Sequence, residues 1–160
     1  MAQGSSIDMS KLSSGEKIVL GGAGAYFIWT FVPVWYKFSI DLGPFGNLGG
    51  GSINGFRGVT LLAWLLALVA IVEIVLRSMM SMSFSLPAKP GLIHLGVAGI
   101  ALLLTLLGLV AKPTGFGISW GIFVAVLIAL VWAYGAYMMY SAPEAMPMGP
   151  PANSQGGFTS

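Results

Sequence analysis

Residues Val59 to Arg77 read VTLLAWLLALVAIVEIVLR, a run that is apolar throughout except for Thr60, Glu73 and the closing arginine. The eighteen residues 59–76, at about 1.5 Å each, extend roughly 27 Å as a helix, close to the roughly 30 Å hydrocarbon thickness of a bilayer. The stretch reads as a membrane-spanning helix, and three similar runs lie at 18–36, 92–111 and 118–140. The expected fold is therefore all-α and polytopic: a four-helix transmembrane bundle over residues 13–140, with a disordered polar leader at 1–12 and a disordered Pro/Gly/Met tail at 141–160.

The composition agrees with that class. Of 160 residues 56% are hydrophobic and 8% charged, and the mean hydropathy of +0.88 is far from the pattern of a soluble domain. Stability then has to come from close packing between helices, which puts weight on small residues. The net charge of +2, from seven scattered cations and five acids, includes no basic run of the kind that binds nucleic acid or an anionic lipid patch. With no cysteine, disulfides, thiolate metal sites and cysteine lipidation are excluded. Met1 to Lys17 is polar, so no cleavable signal peptide is expected and the first helix is its own insertion signal.

Along the chain, Ser13 and Glu16 have the spacing of a capping box that starts helix 1. Gly21 and Ala25 stand in small-xxx-small register on it, a candidate packing face. Its far end places Trp29, Trp35 and Tyr36 toward the headgroups, and Pro33 kinks or stops it. Residues 37–58, with seven glycines, read as a flexible loop; the GGGSING segment at 49–55 has no preceding strand and no following Lys-Ser/Thr pair, so a phosphate loop is not expected. Helix 2 aligns Ala63, Ala67, Ala70 and Ile74 on one stripe, with Trp64 in the interface belt. A Ser/Met loop over 78–91 is closed by Leu86-Pro87 and Lys89-Pro90. Helix 3 aligns Ala98, Ala101, Thr105 and Gly108 and ends at Lys112-Pro113; residues 114–117 make a tight connection. Helix 4 carries Gly121, Ala125, Ala129 and Ala133 every fourth residue, with Trp120 at one interface and Tyr134, Tyr137 and Tyr140 at the other. The loops and charges of the two halves do not correspond, so the inverted-repeat transporter signature is absent.

Several of these features together resemble a group of small four-span membrane proteins of actinobacteria. They are Ser13-Ser14-Gly15-Glu16-Lys17 at the start of helix 1, Val32-Pro33-Val34-Trp35-Tyr36 at its end, the Gly-rich loop before helix 2, the glutamate four residues before an arginine at the end of helix 2, and Leu86-Pro87 before helix 3. The group usually has Pro-Trp-Tyr adjacent where this chain inserts Val34, and often a Trp where this chain has Val72. The resemblance covers residues 10–140; it implies a fold and a membrane, and transfers no mechanism.

Glu73 is the one acid inside a span, and a charge at mid-helix costs about 2.5–3.5 kcal/mol on insertion scales, which makes such residues functional candidates. It stands four residues before Arg77, acid before base on one face, the arrangement of a snorkelling ion pair. Helix 2 ends in the leaflet where helix 3 begins, so His94, the only histidine, lies at comparable depth. Glu73, Arg77 and His94 form a candidate intramembrane polar cluster with two readings, structural pairing and proton or ion handling. A metal site needs at least three ligands, and the histidine has no matched Ser and Asp, so no metal, cofactor or enzymatic activity is expected. Met79, Met80 and Met82 read as flexible filler before a soft-metal path.

The expected function is that of a non-enzymatic integral protein of the cytoplasmic membrane, an interaction or assembly component. Its partners are the lipid bilayer and a membrane protein or further copies of itself, with no nucleic acid. The alternative is a small oligomeric ion or proton channel or transporter using the Glu73/His94 region. Cytoplasmic termini would put Lys11, Lys17, Arg77 and Lys89 inside and Lys37, Arg57 and Lys112 outside, the orientation the positive-inside rule favours.

Overall fold

The computed structural model describes residues 12–80 and 89–142. Of the disordered ends expected at 1–12 and 141–160, residues 1–11 and 143–160 lie outside the described residues, as do Leu86-Pro87 and the rest of 81–88, whereas Ser141 is the last residue of a helix. Four helices are present among them, α1 (Ser14–Trp29), α2 (Val59–Met80), α3 (Pro90–Val110) and α4 (Trp120–Ser141), together with strands β1 (Tyr36–Asp41), β2 (Asn47–Ile53) and β3 (Gly117–Ile118). Three helical stretches are long and apolar enough to cross a membrane: Val59–Arg77, Pro90–Val110 and Trp120–Ser141. At 16 residues α1 extends only about 24 Å, short of the roughly 20 residues a span needs.

Each helix packs on two others, α1 and α3 both lying between α2 and α4. Neighbours run antiparallel. Gly15, at the start of α1, meets Met139 near the end of α4, while Gly108, near the end of α3, meets Ile122 near the start of α4.

The capping box forms as the sequence predicts: Glu16 N–H donates to Ser13 Oγ at 3.2 Å and Ser13 N–H to Glu16 Oε2 at 2.8 Å. The far end of α1 corrects the expectation of a span over 18–36. The helix stops at Trp29, because Pro33 has no N–H to return to the Trp29 carbonyl and disfavours helical backbone at Val32. That carbonyl instead accepts from the Trp35 indole Nε1 at 3.0 Å, and the Thr30 carbonyl accepts from Gly55 N–H at 3.0 Å. The chain thus folds back at Pro33, and Trp35 and Tyr36, expected at the headgroups, are buried in the protein. Trp35 meets Tyr26 edge to face, ring centroids 5.9 Å apart. The Tyr36 hydroxyl donates to the Gly108 carbonyl at 3.3 Å.

The Gly-rich stretch after Tyr36 is a second correction, since it is an ordered hairpin where a flexible loop is expected. β1 and β2 pair antiparallel from Tyr36↔Ile53 to Asp41↔Asn47, with an irregularity between Ser39 and Asp41. β3 adds to the other edge of β1 through Tyr36↔Ile118 and Lys37↔Gly117. The sheet order is β2-β1-β3, so Gly117, expected in the tight connection, and Ile118, expected at the start of the last helix, belong to a strand. Glycine is required by space at Gly50, where a Cβ would overlap the Phe38 carbonyl oxygen and stand 3.2 Å from its carbon. Gly50→Ala should therefore open the hairpin without unfolding the helices. Hydrogen exchange of the β1 and β2 amides should rise by at least tenfold while α3 and α4 stay protected; unchanged protection would show the glycine to be dispensable.

The small faces of α2, α3 and α4 point inward. Ala63, Ala67, Ala70 and Ile74 are buried, as are Ala98, Ala101, Thr105, Gly108, Gly121, Ala125 and Ala129; Ala133 is half-buried, and Trp132, Gly135 and Ala136 continue the inner face of α4. On α1 the expected pair is displaced. Gly21 and Ala25 are exposed, and the close approach to α4 is made by Gly22, where a Cβ would stand 2.9 Å from the Trp132 Cα. The buried face of α1 is Gly15, Val19, Gly22, Ala23 and Tyr26, a helical repeat on the neighbouring stripe. Trp64, expected in the interface belt, stacks on Phe27 at 5.1 Å and meets Phe56 edge to face.

Candidate functional site

The helix ends away from the sheet hold a cluster of ionisable groups on α1, α2 and α3. Glu73 and Arg77 are one turn apart on α2, and their side chains form an ion pair through Arg77 Nη2 and Glu73 Oε1. Because α3 runs antiparallel to α2, its second turn brings His94 to the same level, and His94 Nε2 lies 2.7 Å from Glu73 Oε2. The histidine is only 4% exposed, and the tautomer protonated at Nε2 donates to the carboxylate. Glu73 thus uses both oxygens, one toward its own helix and one toward α3.

Arg77 has a second acid: its Nη1 lies 3.9 Å from Glu16 Oε1, while the other Glu16 oxygen caps α1. The chain of contacts His94, Glu73, Arg77, Glu16 crosses α3, α2 and α1. About a quarter of the Glu73 and Arg77 side chains is exposed, so their mutual attraction is partly screened. Beside them is a cavity of about 50 Å³ bounded by Val69, Ile93 and Val97 as well as the charged groups. A larger cleft of about 350 Å³ opens next to it between Glu16, Arg77, Lys89 and Tyr140.

The three residues singled out in the sequence are therefore brought together. Glu16 is the member that sequence reasoning assigned only to the cap. Its position in the first turn of α1, at the level where α2 ends in any antiparallel arrangement, was the signal that it also reaches Arg77. The packing residues Gly21, Ala25, Ala101, Thr105, Gly108, Gly121, Ala125 and Ala129 stand apart from this cluster. Thr105 does more than pack: its Oγ1 is 2.7 Å from the Tyr26 hydroxyl and donates to the Ala101 carbonyl at 2.7 Å. Tyr26 and Thr105 thus link α1 to α3 across the interior.

Chemically the cluster is a set of mutually neutralising partners. Among the described residues, no group of three or more His, Asp or Glu converges as metal ligands. No protein-family model, curated protein or solved structure matches this chain. Geometry alone supports the functional reading.

Proposed function

We propose that the protein is a non-enzymatic integral component of the cytoplasmic membrane, with four spans and both termini on the cytoplasmic side, acting through interaction or assembly with a membrane partner or further copies of itself. On this reading α1 is the fourth, short span, completed at its far end by the returning chain at Trp35. The observation that carries it is the pairing of Glu73 with both Arg77 and His94. Ionisable groups inside a membrane earn their place by pairing or by transport, and here each carboxylate oxygen of Glu73 is already engaged by a neighbour. The adjoining small cavity is walled largely by aliphatic side chains. The same pairing is the starting point of the rival channel or transporter reading, in which His94 and Glu73 would exchange a proton.

Two measurements separate these readings. Purification from native membrane in mild detergent should recover a recurrent partner or a defined oligomer. The purified wild-type protein in proteoliposomes should show no proton or cation flux above protein-free vesicles. A reproducible current that Glu73→Gln abolishes, and His94→Ala partly abolishes, would replace the assembly reading with the transport one.

A further inference from the structure

The β1–β2 hairpin overhangs the helices, and its free half is apolar. Every residue from Ser39 to Ser52 is exposed, including Phe45 at 89%, Leu48 at 72% and Ile40 at 48%. A two-stranded ribbon is marginal in water without a third strand or a surface to lie on, and β3 covers only the base. Strand β1 extends about 20 Å over its six residues, against about 10 Å between packed helix axes. The tip therefore reaches past the helices that anchor its base.

The direction of its faces and its depth identify what meets it. In β1 alternate side chains share a face. Tyr36 points into the helices and donates to the Gly108 carbonyl; Phe38 lies against Phe116, centroids 5.7 Å apart; Ile40 is next on that face. Lys37 and Ser39 take the opposite one. The apolar face is thus continuous with the one packed on the helix ends. Gly108 lies two residues before the end of α3 at Val110, and a helix of 21 residues extends about 31 Å, so the base of the sheet sits where hydrocarbon gives way to headgroups. Between Phe38 and Gly55 the sole charged residue is Asp41, whose carboxylate accepts from Gly43 N–H at 2.8 Å within the hairpin itself.

We propose that the free half of the hairpin rests in the headgroup layer of the bilayer that the helices cross, with Ile40, Phe45 and Leu48 toward the acyl chains and Lys37 and Ser39 toward water. The inference rests on the reading of α2, α3 and α4 as membrane-crossing. Burial of such side chains at the boundary is favourable by the same apolar transfer that anchors interfacial helices.

The absence of cysteine makes site-directed spin labelling direct. Single variants Phe45→Cys, Leu48→Cys and Ser39→Cys, with Leu103→Cys on the exposed face of α3 as reference, are labelled and placed in nanodiscs of phosphatidylcholine and phosphatidylglycerol. Power saturation is compared with oxygen and with a water-soluble nickel chelate. Labels at positions 45 and 48 should favour oxygen several-fold, as at 103, while the label at 39 should favour the chelate. If 45 and 48 match 39 while 103 keeps its oxygen preference, the proposal fails and the tip is left in water for a protein partner. Chelate access at 103 as well would overturn the membrane-crossing reading together with it.

Discussion

Gly121→Ala should destabilise the protein by about 2–3 kcal/mol, the upper range for adding a carbon to a filled interior. The new methyl would stand 2.6 Å from the Val34 carbonyl carbon and closer still to its oxygen. Neither atom is free to yield: Gly121 N–H donates to that oxygen at 2.9 Å, and the Gly121 carbonyl accepts from Trp29 Nε1 at 2.8 Å. One methyl would therefore disturb the junction of α1, the Pro33 return and α4 together. Gly21→Ala is the control, since nothing lies within 4 Å of its Cβ position; it should stay within about 0.5 kcal/mol of the parent. Unfolding in detergent, followed by circular dichroism against temperature or denaturant, compares the two. Equal losses would show that the positions are not distinguished by packing.

Glu73→Leu should be the most damaging change in the polar cluster, at about 2–3 kcal/mol, because it strands His94 in a buried setting and removes the nearer of the two acids from Arg77. Glu73→Gln should cost about 1 kcal/mol or less. The carboxamide still offers an acceptor and a donor to the same neighbours, and the ion pair it loses is partly solvated. Adding His94→Leu to Glu73→Leu should recover part of the loss, since the stranded ring is then replaced by an aliphatic side chain. A double-mutant cycle in detergent measures that coupling at about 1–2 kcal/mol. Strict additivity would mean that the two residues meet without depending on one another.

These two sites differ in how far the sequence revealed them. Glu73, Arg77 and His94 were legible, because a four-residue step on one helix and a shared depth on the next are arithmetic consequences of helix geometry. The inward faces of α3 and α4 were legible for the same reason. On α1 the sequence offers small residues at 21 through 25, and which of them turns inward depends on the rotation of the helix about its axis, which the position of Trp132 decides in favour of Gly22. The hairpin was hidden more deeply. β2 reads NLGGGSI, and its three consecutive glycines carry no alternation for a period of two to appear in; the strand is specified by what it omits, a side chain at Gly50. Trp35 and Tyr36 misled because aromatic residues near a proline at the end of a span are as suited to headgroups as to the interior. Only the turn at Pro33 directs them inward.

The junction at Pro33 also sets an order of assembly. β1 pairs with β2, made shortly after it, but Lys37 must wait for Gly117, and the carbonyls of Val34 and Trp35 must wait for Gly121 and Ser119. Until α3 has been synthesised and the chain has returned to the level of the sheet, those acceptors and one edge of β1 stay open, next to the short first helix. An unpaired strand edge invites association with other chains. The nascent protein is thus most exposed to misassembly in the interval between its second and fourth helices, and the two-residue strand before α4 is the seam that ends it.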